Sequence, residues 1–288
     1  NLQCIMCRPH DSSKWLRDSK ILATSLTTDA KWDWKHKSEI VIEQFEWYKN
    51  QAFWDSFYES ATDIKDLIFG GGEPLLIKQH KALIRHLVKI DHAKNVEIRY
   101  HTNATIVDEE LLELWTHFKK CHIMLSLDAY GDLNSYIRYP SKWDEIEKHL
   151  RIYDNTTGGD IIIDINTTIQ ACNINWMPEF AEWIWAQDYK KIGKRTTNGT
   201  FHAATLHWPK YLSTKVLPQK SKQAISEKLN DFMSKHSDNP EIQAWNAQVE
   251  FMMSEDWSSM LDQTKDYLTN LDKMRPVRFD PLRDIIDA

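Results

Sequence analysis

The sequence predicts an α/β fold: a partial (β/α)6 TIM-like barrel of parallel strands, followed by a C-terminal helical extension. Three observations carry this expectation. Five short apolar runs, Asp66–Phe69, Val96–Tyr100, Ile123–Leu127, Ile161–Ile165 and Ala203–Leu206, have centres about 27 to 40 residues apart, the length of a strand plus the crossover that a parallel pair requires. Longer amphipathic stretches fill the gaps. Glycine and polar residues follow the runs directly, at Gly70–Pro74, Thr102-Asn103, Ser126–Asp128 and Gln170, where ligands gather at the carboxyl ends of parallel strands. A sixth strand is expected before Asn1.

Taken in order, Val41, Phe45, Tyr48 and Ala52 recur at four-three-four spacing and predict a first helix. Leu83, Leu87 and Ile90 mark a second, and Leu111, Leu114 and Phe118 a third. Ser141 to Asp144 resembles a capping box opening a fourth, just after Pro140. Pro178 suits the first turn of a fifth. From about Ser221 the pattern becomes helices without strands, at Ser221–His236, Pro240–Met253 and Asp256–Lys273, punctuated by Pro218, Pro240 and Pro276. A boundary near Leu212–Pro218 divides the chain into residues 1–212 and 213–288.

The chain has 288 residues, 42% of them hydrophobic and 27% charged, an ordinary balance for a globular protein. A net charge of −6 argues against a general nucleic-acid binder, which usually shows a basic face. No apolar run approaches the roughly 20 residues of a membrane-spanning helix, so no membrane partner is expected. The 13 tryptophans are scattered and read as packing residues.

Four cysteines are present. Cys121 and Cys172 lie in strand-like surroundings and read as buried structural thiols. Cys4 and Cys7 form a Cys-x-x-Cys pair, which in a chain this large reads as a cytosolic metal or redox site rather than a disulfide. The apolar run Leu67 to Phe69 leads into Gly70-Gly71-Gly72-Glu73-Pro74. A phosphate loop would give no reason for the acidic Glu73 and would normally place a lysine beside the glycines. The basic run Lys190 to Arg195 reads as a solvated loop. His101, His122, His202 and His207 flank strands without metal-motif spacing, and neither a Gly-x-Ser-x-Gly elbow nor a His-Glu-x-x-His pair occurs.

The cysteine pair and Gly71-Gly72-Glu73-Pro74, in this order and at this distance, resemble the radical S-adenosylmethionine (SAM) superfamily over roughly residues 1 to 210. The resemblance implies a [4Fe–4S] cluster on Cys4, Cys7 and a third cysteine expected just before Asn1, so that residues 1–288 read as a fragment. It implies that SAM binds the open iron, and that one electron cleaves it to a 5′-deoxyadenosyl radical that abstracts hydrogen from a substrate. Met6 takes the place of an aromatic that lies by the adenine. Gly71 and Gly72 let the backbone approach the methionine part, Glu73 receives its ammonium, and Pro74 completes the cofactor-binding motif. Thr102-Asn103 resembles the third-strand pair, with Asn103 at the cofactor edge. Ser126-Leu127-Asp128 resembles the fourth-strand Ser-x-Asp, with Ser126 on the methionine carboxylate. Arg138 is a candidate for the same carboxylate or for the substrate, and Thr168, Gln170 and Asn173 are weaker candidates.

Leu206–Leu212 and Leu271–Arg275 resemble members with a twitch subdomain, but the tail carries no cysteine for an auxiliary cluster. The substrate is expected to be a small molecule or a peptide, and the electron donor a flavodoxin or ferredoxin. Two other readings stay open: a catalytically inactive scaffold on the same barrel, and a zinc-binding α/β protein built on Cys4 and Cys7 with His10, Cys121 or Cys172.

Overall fold

The computed structural model describes residues 1–35, 46–194 and 201–288. Five strands, β1 (Asp66–Phe69), β2 (Glu97–Thr102), β3 (Lys120–Ser126), β4 (Ile161–Ile169) and β5 (Phe201–Thr205), form one sheet in chain order. Every neighbouring pair is parallel. Helices Lys78–Lys89, Glu109–Trp115, Gly131–Ile137 with Trp143–Asp154, and Met177–Ala186 make the four crossovers. This is the strand–helix repeat of a partial β/α barrel, as the spacing of the apolar runs predicts.

The period-2 alternation of the strands separates two faces. Ile98, Tyr100, Cys121, Ile123, Leu125, Ile163 and Ile165 are buried in the core beneath the helices. The opposite face carries His122, Met124 and Ser126, and the register sets them beside Ile162, Asp164 and Asn166 of β4. Asn166 in turn pairs with His202 of β5. That face mixes polar and apolar side chains, with Ile162 and Asp164 buried and His122, Met124, Ser126, Asn166 and His202 half-buried.

Several helix boundaries differ from expectation. Val41 and Phe45 lie outside the described residues; Tyr48 sits in a 3-10 turn, Trp47–Lys49, and the helix begins only at Gln51. The capping box at Ser141 does not form. The helix starts at Trp143, its N-cap Lys142 makes no side-chain cap, and the Trp143 N–H donates to Ser135 Oγ at 3.1 Å. Helices Trp15–Ser25, Ala30–Lys35, Gly131–Ile137 and Pro281–Ile286 are additions to the predicted set. Pro178 falls in the first turn of Met177–Ala186, as expected.

After Thr205 the described chain holds helices only, the longest being Gln219–Lys235 and Leu261–Met274. Leu261–Met274 returns to the start of the chain. Tyr267 Oη donates to the Ile5 carbonyl at 2.8 Å, and Arg275, just beyond the helix, donates to the Gln3 carbonyl at 2.6 Å. Arg8, 1% exposed, lies over the rings of Trp34, Tyr211 and Tyr267. The cysteine segment is therefore held from both sides, by the barrel and by the helical extension. No described helix is long and apolar enough to cross a membrane.

Candidate functional site

β1 ends at Phe69 and the chain turns through Gly70, Gly71 and Gly72. Gly71 adopts φ +94°, a conformation that strains any residue with a Cβ. A Cβ at Gly71 or Gly72 would meet nothing within 4 Å, so the loop borders open space that the missing side chains leave clear. Pro74 then opens the 3-10 turn Pro74–Leu76.

Glu73 points back into the protein and is 4% exposed. Its Oε1 accepts from Thr102 Oγ1 at 2.9 Å and from the Leu75 N–H at 3.3 Å, and Oε2 accepts from the Asn103 N–H at 3.0 Å. Burial raises its pKa, and these three donors offset only part of the rise. Among the described residues no cationic side chain pairs with it. A carboxylate has about four acceptor sites, so one remains for a ligand donor.

The cysteine segment reaches the same place. Asn103 Nδ2 donates to Asn1 Oδ1 at 2.7 Å, which joins the start of the chain to the end of β2. The Gln3 and Ile5 N–H groups donate to the Tyr139 and Ile137 carbonyls at 2.6 and 2.8 Å. The Cys7 N–H donates to the Cys4 carbonyl at 3.0 Å, closing a turn that brings the two thiols together, and Trp15 Nε1 donates to the same carbonyl at 3.3 Å. Hydrogen bonding from Cys7 is the largest influence on Cys4. Burial opposes it, Arg138 and Arg275 assist it, and the Cys4 thiol falls to about 7. The same hydrogen bond, with burial, pushes Cys7 up. Met6, between them, is half-buried against the core.

At the ends of β3 and β4 the polar residues form a network. Asp128 is fully buried and lies 2.8 Å from Arg138 Nε; its Oδ1 accepts from Arg138 Nη2 at 3.0 Å and from the Thr168 N–H at 2.8 Å. Burial works against the Arg138 charge, but Asp128 and Cys4 outweigh it and raise its pKa. Arg138 is thus engaged by Asp128 and its charge faces the cysteines. Asn173 is taken up inside the protein, donating to the Asp128 and Thr168 carbonyls and accepting from the Gln170 N–H. The Gln170 carboxamide is different: it is fully buried and neither its Oε1 nor its Nε2 has a partner among the described residues. Ser126 is half-buried on the interior face.

The structure therefore gathers Cys4, Cys7, Glu73, Asn103, Asp128, Arg138 and Gln170 at one end of the sheet. It separates Cys121 and Cys172, both fully buried; burial pushes Cys121 up, and Cys172 up to about 12. Among the described residues, no histidine, cysteine or carboxylate joins Cys4 and Cys7 as a third donor within metal-site distance. Of the basic run, Arg195 lies outside the described residues. Lys190, Lys191 and Ile192 donate backbone N–H groups to Asp154, so this stretch is tied to a helix rather than to the site.

One grouping escaped the sequence reading. His122 Nε2 lies 2.7 Å and His202 Nε2 3.3 Å from Asp164 Oδ2. Burial works to raise the Asp164 carboxyl, but the two imidazoles prevail and hold it below its ordinary value; His202 is raised by the hydrogen bond to Asp164. Spacing along the chain hides this group. Strand alternation plus parallel register is the signal that could have found it.

Residues 55–166 match the Radical SAM superfamily. Over 105 residues, 35% of this chain, the sequence is 27% identical to L-lysine 2,3-aminomutase of Haemophilus influenzae, of which those residues span 29%. Among solved structures, native anSMEcpe with bound AdoMet aligns over 66% of this chain and 53% of its own, at 15% identity and a TM-score of 0.48. The radical S-adenosylmethionine methyltransferase TsrM from Kitasatospora setae, with cobalamin and a [4Fe–4S] cluster bound, aligns over 52% of this chain and 27% of its own, at 13% identity and a TM-score of 0.37. The chain thus spans under a third of the aminomutase and about half of anSMEcpe. Cys4 and Cys7 precede the matched segment, which holds the glycine loop, β1 to β3 and most of β4. The likeness to the radical SAM superfamily rests on residues 55–166.

Proposed function

We propose that this protein is a radical SAM enzyme that uses a [4Fe–4S] cluster to cleave SAM reductively and abstract hydrogen from a small-molecule or peptide substrate. The observation that carries the proposal is the convergence of two thiols with a buried carboxylate that, among the described residues, has no cationic side-chain partner. Cys4 and Cys7 are linked through Asn1 and Asn103 to Glu73. Cys4 and Cys7 supply two of the three thiolates of such a cluster, and the glycine loop with Glu73 suits SAM. Thiolates are the usual ligands of iron–sulfur clusters, and adjacent cationic side chains favour the thiolate form. The cradle at Gly71 and Gly72 leaves room for a backbone approach, and the unpartnered Gln170 amide has hydrogen bonds to offer.

When bound, the cluster supplies one electron for the cleavage of SAM. The chain's own residues do the rest. Glu73 holds an ammonium at its remaining acceptor site. Arg138, fixed by Asp128, keeps positive charge beside Cys4 and Cys7, where it stabilises their ionised form. Asn103 holds the cysteine segment against the end of β2, with Thr102 orienting Glu73 from below. Ser126 offers a hydroxyl on the interior face, and Met6 an apolar contact for the adenine. Residues 213–288 act as a brace for the cysteine segment through Tyr267 and Arg275, and a flavodoxin or ferredoxin delivers the electron.

The test is anaerobic iron–sulfur reconstitution of protein supplied with a third cysteine ligand, followed by addition of SAM. SAM should change the electron paramagnetic resonance signal of the reduced cluster, as expected for a ligand on iron. A spectrum that does not respond to saturating SAM would refute the proposal.

A further inference from the structure

We propose that His122, Asp164 and His202 form a second metal site, inside the barrel and separate from the cysteines, which takes a divalent first-row transition metal. The three residues come from β3, β4 and β5 and point to one face of the sheet. Their ligand atoms, two imidazole nitrogens and one carboxylate oxygen, all lie within 4.8 Å of one another. Bonds of roughly 2.1 Å place ligand atoms about 3 to 3.6 Å apart around a metal. The two imidazole–carboxylate separations of 2.7 and 3.3 Å are close to that range. Small rotations of the two rings complete the geometry.

The donor set is selective. Two imidazoles with one carboxylate suit zinc, ferrous iron and their neighbours, whereas calcium and magnesium prefer oxygen alone. The burial pattern supplies the rest. Asp164 is fully buried and fixed on β4, while His122 and His202 keep 20% and 30% of their side chains exposed towards the barrel interior. A metal held here keeps open positions on its lumen side, where an oxygen or nitrogen donor of a substrate can bind. His122 lies four residues before Ser126, roughly 13 Å down the strand from its carboxyl end, so this metal is not a ligand-sharing neighbour of the cysteine loop.

Cobalt(II) is the probe. In protein carrying Cys4→Ala and Cys7→Ala, which removes the competing thiolates, Co2+ should bind at one per chain with ligand-field absorption and no thiolate charge-transfer band. Zn2+ should displace it at the same stoichiometry. His122→Ala and His202→Ala should each weaken binding by at least about tenfold with an unchanged circular dichroism spectrum. Long-range proton–nitrogen spectra of Zn2+-titrated protein with all histidines in place give a readout independent of folding in the variants, and should show two imidazole nitrogens shifting with saturation. Absence of Co2+ binding at micromolar concentration, binding that survives both histidine substitutions, or unshifted imidazole nitrogens would each overturn the assignment and leave a hydrogen-bonded His-Asp-His group.

Discussion

Glu73 Oε2 accepts the backbone N–H of Asn103 at 3.0 Å, joining the glycine loop after β1 to the end of β2. The same Asn103 donates its side-chain amide to Asn1, three residues before Cys4. One carboxylate thus sets the geometry of the loop and stands next to the cysteines, so its removal has two separable consequences.

Glu73→Ala should weaken SAM binding by at least about tenfold, the scale of a lost charge-assisted hydrogen bond. It should also cost about 1–3 kcal/mol of stability, because the Thr102 hydroxyl and the Asn103 N–H lose their acceptor. Calorimetric titration of cluster-loaded protein and urea unfolding measure the two effects. Unchanged affinity would remove Glu73 from the binding machinery.

The Asp128–Arg138 pair should behave as a buried ion pair. Arg138→Met leaves a fully buried carboxylate unpaired and should destabilise the protein by about 3–5 kcal/mol. Replacing both, with Asp128→Asn and Arg138→Met, should recover a substantial part of that loss. Equal losses in the single and double variants by chemical denaturation would show that the two charges are not coupled.

Cluster assembly should depend on Cys4 and Cys7 and not on Cys121 or Cys172, whose thiols are buried and held protonated by their surroundings. In protein supplied with a third cysteine ligand, iron and sulfide analysis should give about four irons per chain, one cluster. Cys121→Ala and Cys172→Ala should keep that content; Cys4→Ala or Cys7→Ala should lose it. Loading near eight irons would require a second cluster elsewhere.

His80 gives the fold an acid limit. It is 1% exposed, with Nδ1 3.0 Å from the Ile77 carbonyl and Nε2 2.9 Å from Tyr100 Oη, and burial lowers its pKa to about 4. Its folded value lies below its unfolded one, so the stability it contributes is present above about pH 6.5 and lost as pH falls towards 4. The loss is about 3 kcal/mol across that window. Thermal unfolding of the wild type should therefore fall more steeply between pH 6.5 and 4 than that of His80→Gln. Parallel curves would contradict the assignment.

Much of this arrangement was legible in the sequence, for physical reasons. The strands lie near the apolar runs because β-branched and aromatic residues packed beneath helices must be contiguous; Asp66–Phe69 matches its strand residue for residue. The glycine loop was legible because only glycine tolerates φ near +94° at position 71. What depends on register was not. Asp128 and Arg138 are ten residues apart, yet their pairing depends on the helix Gly131–Ile137, which opens on Gly131 at φ +60° and is only seven residues long. His122, Asp164 and His202 are separated by about forty residues at each step, and only the parallel ladder of β3, β4 and β5 brings them together.

Reductive SAM cleavage at Cys4, Cys7 and Glu73 is the core of the proposed function. Its most direct test is the formation of 5′-deoxyadenosine by cluster-loaded protein reduced anaerobically with dithionite in the presence of SAM. With a third cysteine ligand supplied beside Cys4 and Cys7, 5′-deoxyadenosine should accumulate, and Cys4→Ala and Glu73→Ala should each reduce its rate at least about tenfold. A loaded cluster that yields no 5′-deoxyadenosine, or rates unchanged by both substitutions, would contradict it.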